Sequence, residues 1–221
     1  MSTPTGENQL DSATGAERPG LRADAERNRQ AVIDAAAAVF AEHGTDAALD
    51  AVARRAGVGI ATLYRRFPTR DLLVEAVLDD KMRRYADDTE KAAERALTQP
   101  WDAFAGYVES VLALQADDPA FADTLLAPFH GSPVFAEEHA RAFRASVRLV
   151  ERARLAGAIR PDFSHVDLYL AVLAGDGVAR ATRDHGTQPS LRLAAYLLDA
   201  FRADAGHRPL PAVPDELRPG Q

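Results

Sequence analysis

The chain has 221 residues, a formal net charge of −7, 47% hydrophobic residues and no cysteine. That length allows one large or two small domains with a real core, and the lack of cysteine excludes a disulfide framework and thiolate chemistry. The N-terminus has no basic-then-apolar leader pattern, and no apolar run approaches the ~18–20 residues that cross a bilayer, so a cytoplasmic setting is expected.

Residues 1–20 are rich in Gly, Pro, Ser, Thr and Asn without periodicity and are expected to form a disordered arm. A first helix is expected from about Ala25 to His43, with Ala31, Ile33, Ala37, Phe40 and Ala41 near one face and Gly44 as its stop. A short helix should follow from about Leu49 to Ala56, buried through Leu49, Val52 and Ala53. Gly57-Val58-Gly59 makes a turn, and a third helix covers about Ile60 to Phe67. Pro68 ends it, because proline lacks the N–H donor and disfavours helix in the residue before it. Thr69 suits the N-cap of a fourth helix running to about Arg95, with Leu72, Leu73, Ala76 and Val77 inward.

Pro100-Trp101 opens a helix to about Gln115, Asp118-Pro119 a shorter one ending near Pro128, and Pro133 a long one ending at Gly157. Ser164 caps the next, through SHVDLYLAVLAGDGVARATRD, and Pro189-Ser190 opens the last, to about Ala205. The stretch from His207 has four prolines and reads as a loose tail. The expected architecture is therefore all-α, with about nine helices. It divides into an arm (1–20), a helix-turn-helix domain (21–70), a larger helical body (71–206) and a tail (207–221).

Charge is unevenly placed. Residues 18–84 hold 12 Lys+Arg against 10 Asp+Glu, whereas residues 85–221 hold 14 against 20. Only the N-terminal part is thus suited to meet a polyanion. Two short helices joined by a glycine turn and packed on a longer one form a helix-turn-helix, whose second short helix enters the DNA major groove. Val58, Leu63 and Phe67 can share one inward arc, leaving Ile60, Ala61, Thr62, Tyr64, Arg65 and Arg66 outward. Thr62, Ala61 and Ile60 suit base edges and thymine methyls. Tyr64, Arg66 and Arg70 suit phosphate oxygens, which give affinity without reading sequence. Taken alone, these arginines fit a solvated helix face better; the joint spacing carries the DNA reading.

The pattern FAEHG…LDAVARRAGVGIATLYRRFPTRDLL closely resembles the DNA-binding domain of the TetR family of bacterial transcriptional regulators, over about residues 25–80. The resemblance implies a homodimer, a two-fold operator and a helical C-terminal domain that binds a small effector. It also implies that Tyr64 and Arg70 contact phosphate while the third helix reads bases. One departure stands out. Common members begin the second helix with Thr or Ser, but here Thr45-Asp46-Ala47-Ala48-Leu49 puts alanine there and leaves Asp46 as the available cap. No phosphate contact is therefore carried over for the second helix.

For the effector pocket the candidate lining residues are Trp101, Phe104, Phe121, Phe129, His130, His139, Phe143 and Asp176, chosen for apolar walls with a few polar groups. For the dimer seam the last two helices offer Ala171, Ala174, Gly175, Val178, Ala194, Leu197, Leu198 and Phe201, where small residues let helices approach closely. Asp162-x-x-His165 and Glu138-His139 could ligate a metal in principle, but no ligand spacing repeats across helices. No nucleophile elbow, phosphate loop or dinucleotide fingerprint is present. The reading is a non-enzymatic one-component regulator without cofactor, a repressor released from a palindromic operator by an effector. The alternatives are a ligand-binding protein of the same fold without DNA binding, and an activator. The fourth helix is the expected lever between the domains.

Overall fold

The computed structural model describes residues 19–126, 132–204, 206 and 208–212. The chain falls into two compact units, residues 1–68 and 69–221. All described regular elements are helical, apart from a single antiparallel bridge between Ile159 and Arg202.

The first unit holds α1 (Pro19–His43), α2 (Leu49–Ala56) and α3 (Ile60–Arg66). The first helix begins six residues before the expected Ala25, at a proline, which is tolerated in a first turn because its missing N–H would have no partner there. Its buried face is Val32, Ile33, Ala35, Ala36 and Val39. Of the five residues expected inward, only Ile33 is fully buried and Ala41 is exposed. The alanine-rich run between them carries little periodic contrast, so a small rotation of the helix costs the pattern nothing. Leu49, Val52 and Ala53 of α2 are buried as expected.

The second unit holds α4 (Arg70–Arg95), α5 (Pro100–Asp117), α6 (Pro119–Leu126), α7 (Pro133–Leu155), α8 (His165–Ala181), a one-turn 3-10 helix (Arg183–His185) and α9 (Gln188–Phe201). The Thr69 side chain accepts from the Leu72 N–H at 3.3 Å and starts α4. Leu73, Ala76 and Val77 are buried, but Leu72 is exposed, because the three buried positions already fill the inward arc. Ser132 caps α7 through the Phe135 N–H, and Ser164 with Asp167 forms a capping box on α8. The expected end of α6 at Pro128 lies outside the described residues.

The helices α4 and α7 lie side by side in the same direction. Arg141 reaches Asp87 at 2.6 Å, Glu90 at 2.9 Å and Glu138 at 2.7 Å, while Arg152 donates to the Ala93 carbonyl at 2.6 Å. The main core gathers Phe104, Tyr107, Leu112, Leu149, Ile159, Phe163, Ala194 and Leu198 around α5. Phe163 packs edge-on against both Phe104 and Phe201, at 5.5 and 4.7 Å between ring centres.

The last helix stops at Phe201, four residues before the expected Ala205. Arg202 is extended and pairs with Ile159, and the Arg160 N–H donates to the Phe201 carbonyl at 2.9 Å. Within the stretch read from sequence as a loose tail, Arg208 and Leu210 are held. The buried Arg160 grips Asp162 through two bonds of 2.6 and 2.9 Å and donates to the Arg208 carbonyl at 2.8 Å, while the Leu210 N–H donates to Asp162.

Candidate nucleic-acid interface and effector cleft

Gly57 sets the angle between α2 and α3. It closes α2 with a left-handed φ of 68°, its N–H bonding back to the α2 carbonyls of Ala53 and Arg54. An L-side chain at that φ would be strained, so glycine is the residue this turn requires. The Val58 N–H adds a second bond to the Ala53 carbonyl at 3.0 Å. The chain then leaves in extended form through Gly59, and α3 begins at Ile60.

Leu63 is 0% exposed and anchors α3, with Phe67 buried one turn later under the Arg29 guanidinium. Val58, expected beside them, is only half-buried. With Leu63 facing in, the rest of α3 faces out. Ile60 is 37% exposed and Tyr64 50%, and Ala61, Arg65 and Arg66 are exposed, while Thr62 is half-buried. Five of the six α3 candidates thus share the solvent side, and Thr62 sits at its margin. Arg70 opens α4 in the second unit and is half-buried. Two arginines in the last turn of α3 also suit the negative end of its dipole.

The N-cap of α2 is Ala48, and no side chain caps it. Asp46 is exposed and is not the N-cap residue, so that expectation is corrected: the N-cap is Ala48, and Asp46 lies two residues before it. Arg55 of α2 is held instead by Glu42 of α1 at 2.7 Å.

In the second unit a cleft of about 550 Å³ opens between α4, α5 and the start of α6. Tyr85, Thr89 and Arg95 line it from α4, and Tyr107, Ser110 and Val111 from α5. The hydroxyls of Tyr85 and Tyr107 meet at 2.9 Å, and burial pushes both phenols above their ordinary range, so they stay neutral. Of the sequence candidates, Phe121 lines this cleft, edge-on to Tyr85.

The other candidates fall elsewhere. Phe104 is 0% exposed in the main core, and Trp101 lies under the Arg202 guanidinium at 4.2 Å. His139 stacks on Phe135, and Phe143 sits edge-on to His165. Asp176 accepts from Arg180 at 2.8 Å. Phe129 and His130 lie outside the described residues. Phe104 was drawn into the main core because a large ring buries much apolar surface, whereas Phe143 is 39% exposed on α7. The missed lining groups, Tyr85, Thr89 and Arg95, belong to a face of α4 that recurs at three and four through Lys81, Tyr85, Thr89, Ala92 and Arg95.

The residues expected at the dimer seam fall on two sides of α8 and α9. Ala171, Gly175, Ala194 and Leu198 are buried within the chain itself, and Leu197 and Phe201 pack against the main core. Gly175 comes close to Leu112 and Gln115 of α5. The side of α8 turned to solvent carries Tyr169, Leu170, Leu173 and Ala174, and that of α9 carries Leu191, Ala195 and Tyr196; Val178 is half-buried.

Among the described residues no group of three or more His, Cys, Asp or Glu is placed to hold a metal. The two pairs noted in the sequence are otherwise engaged: Asp162 with Arg160, His165 with Ser146 at 2.9 Å, and Glu138 with Arg141. Among the described residues no helix is long and apolar enough to cross a membrane.

Comparison with known proteins agrees with this geometry. The model of the bacterial regulatory proteins of the tetR family matches residues 32–77. The HTH-type transcriptional repressor LfrR of Mycolicibacterium smegmatis is 44% identical over 72 residues; the match covers 32% of this chain and only 35% of that relative. Two solved structures extend the likeness over most of the chain. A TetR transcription regulatory protein from Mycobacterium vanbaalenii is 31% identical with a TM-score of 0.59, covering 74% of this chain and 97% of that one. A TetR transcriptional regulator from Streptomyces coelicolor is 30% identical with a TM-score of 0.62, covering 80% and 99%. The chain belongs to the TetR family of transcriptional regulators, non-enzymatic proteins that bind DNA.

Proposed function

We propose that the protein is a cytoplasmic repressor that binds a two-fold operator as a homodimer and leaves it when a small molecule occupies the α4–α5 cleft. The observation that carries the DNA half is the division of α3. One large side chain, Leu63, is buried, and small, hydroxyl-bearing and cationic groups occupy the solvent side. That arrangement lets a helix lie in a major groove without disturbing its own core. Ile60, Ala61 and Thr62 at its start would touch base edges, while Tyr64, Arg65, Arg66 and Arg70 would hold phosphates. Repression is supported by the likeness to a repressor in this part of the chain.

The outward apolar sides of α8 and α9 support a dimer through those two helices, since patches of that kind are rarely left in water. A two-fold dimer presents its reading helices about 34–36 Å apart, one turn of DNA. The effector acts by binding one spacing better than the other, because only differential affinity moves such an equilibrium. Helix α4 both follows Pro68 and lines the cleft, which makes it the lever. The test is selection of bound duplexes from a random pool, then titration of the enriched site. We expect a site with inverted symmetry and an affinity that falls steeply with salt. No enrichment of any duplex would refute the reading and favour a protein that kept only the fold.

A further inference from the structure

We propose that the α4–α5 cleft takes an elongated amphipathic monoanion, with its carboxylate at Arg95 and its apolar body along Val111, Leu114 and Phe121. The proposal rests on the effector reading above and adds the chemistry of the guest.

The first argument is shape. Arg95 faces the start of α5, Tyr85 faces Tyr107, and Lys81 faces Asp118, so α4 and α5 run in opposite directions along the cleft. The span on α4 from Lys81 to Arg95 corresponds to about 21 Å of helix, a long groove rather than a round hole.

The second argument is charge. The lining has four cationic side chains, Lys81, Arg84, Lys91 and Arg95, against two carboxylates, Asp88 and Asp118. Lys81 pairs with Asp118, Lys91 with Asp88 and Arg84 with Asp80. Arg95 differs: its guanidinium donates to the Asp102 backbone carbonyl at 2.7 Å, and among the described residues no carboxylate pairs with it. It lies 3.6 Å from where a Cβ on Gly106 would stand, so that glycine leaves it room on α5. A guest carboxylate would complete this site through the planar fork of donors that arginine presents.

The rest of the groove asks for no second charge. Its middle has two neutral phenols in contact, and its far end has an ion pair already closed beside the Phe121 ring. A guest with one charged head and an apolar tail satisfies every part. A cation would meet Arg95 with like charge and find both cleft carboxylates engaged.

The test uses the full-length protein and calorimetric titration with decanoate, decan-1-ol and decyltrimethylammonium, each below its micelle concentration. Decanoate should bind, with decanol about fivefold weaker and the ammonium compound weaker still. Arg95→Gln should reduce decanoate to the level of decanol. Arg95→Lys, which keeps the charge, should retain the preference, as should Arg144→Gln, a change at an exposed arginine on α7 outside the cleft. Should Arg95→Gln fail to fold, Arg95→Lys against wild type decides through the same ratio.

The proposal is overturned if none of the three binds, if the alcohol or the cation binds as well as the acid, or if Arg95→Gln keeps the preference. Operator titration separates the two claims. Decanoate that binds with the expected preference but leaves DNA affinity unchanged ends the effector reading and keeps the chemistry. Release of DNA by the ammonium compound alone does the reverse.

Discussion

Replacing Gly175 by alanine tests the assignment of α8 to the interior. A Cβ built there would stand 2.5 Å from the Gln115 Oε1, 2.8 Å from the Leu112 Cγ and 3.2 Å from its Cδ1. Neither neighbour can yield freely. Leu112 is 0% exposed, and Gln115 is tied by its Nε2 to the Val172 carbonyl at 2.9 Å. Overpacking of this kind costs about 1–3 kcal/mol. Alanine in a helix gains about 0.8–1.0 kcal/mol over glycine, so a net loss of about 1 kcal/mol is expected. For a chain of this size that is a fall in Tm of about 2–4 °C.

A double-mutant cycle in denaturant isolates the cause. Leu112→Ala alone should cost about 2–5 kcal/mol. In that background Gly175→Ala should be neutral or stabilising, giving a coupling of at least about 1 kcal/mol. Sedimentation should show an unchanged oligomeric state, because Gly175 packs on α5 of its own chain. A rise in Tm for the single variant, equal effects in both backgrounds, or loss of a dimer would refute the packing argument.

Other outcomes are open to measurement. Arg66→Ala should weaken binding to all duplexes about equally and flatten the slope of log affinity against log salt by about 0.9, read by fluorescence anisotropy. Tyr64→Phe should do less, removing one hydroxyl contact worth about 0.5–1.5 kcal/mol. Leu63→Ala should destabilise the first unit by about 2–5 kcal/mol in urea titration, since its side chain is fully enclosed. Asp162 is held down to about 2, chiefly by the paired Arg160 guanidinium and further by the Leu210 N–H. A lowered folded value means stability that is full above about 3.9, the unfolded range, and is lost as pH falls toward 2. Asp162→Asn should remove that part of the acid sensitivity, measured as the unfolding midpoint from pH 5 down to about 2.

Element order was legible because punctuation is strong here. Pro100, Pro119 and Pro133 open helices, and Thr69 and Ser164 supply caps, so boundaries fell within a residue or two at most starts. The helix-turn-helix was readable for the same reason: the left-handed turn at Gly57 favours glycine, and Leu63 is the one buried residue of the third helix. Facing was harder. Helices α8 and α9 carry apolar residues around most of their circumference, so periodicity does not say which side meets α5 and which is left outside. Small residues at Gly175 and Ala194 signal close approach but not to what. The cleft was missed because its lining is mixed. Tyr85, Thr89 and Arg95 lie on a helix otherwise dense in charge, where no apolar run marks a pocket wall.

The clasp formed by Arg160 and Asp162 bears on where the folded body stops. Cutting the chain just beyond the bridge at Arg202 would leave a guanidinium only 7% exposed without the carbonyl it now serves, and would strip Asp162 of a backbone donor. Such a shortened protein would fray first at the corner before α8, even though none of the described residues beyond Arg202 is helical. A protease ladder on the intact chain should accordingly stall near Leu210 before it reaches α9.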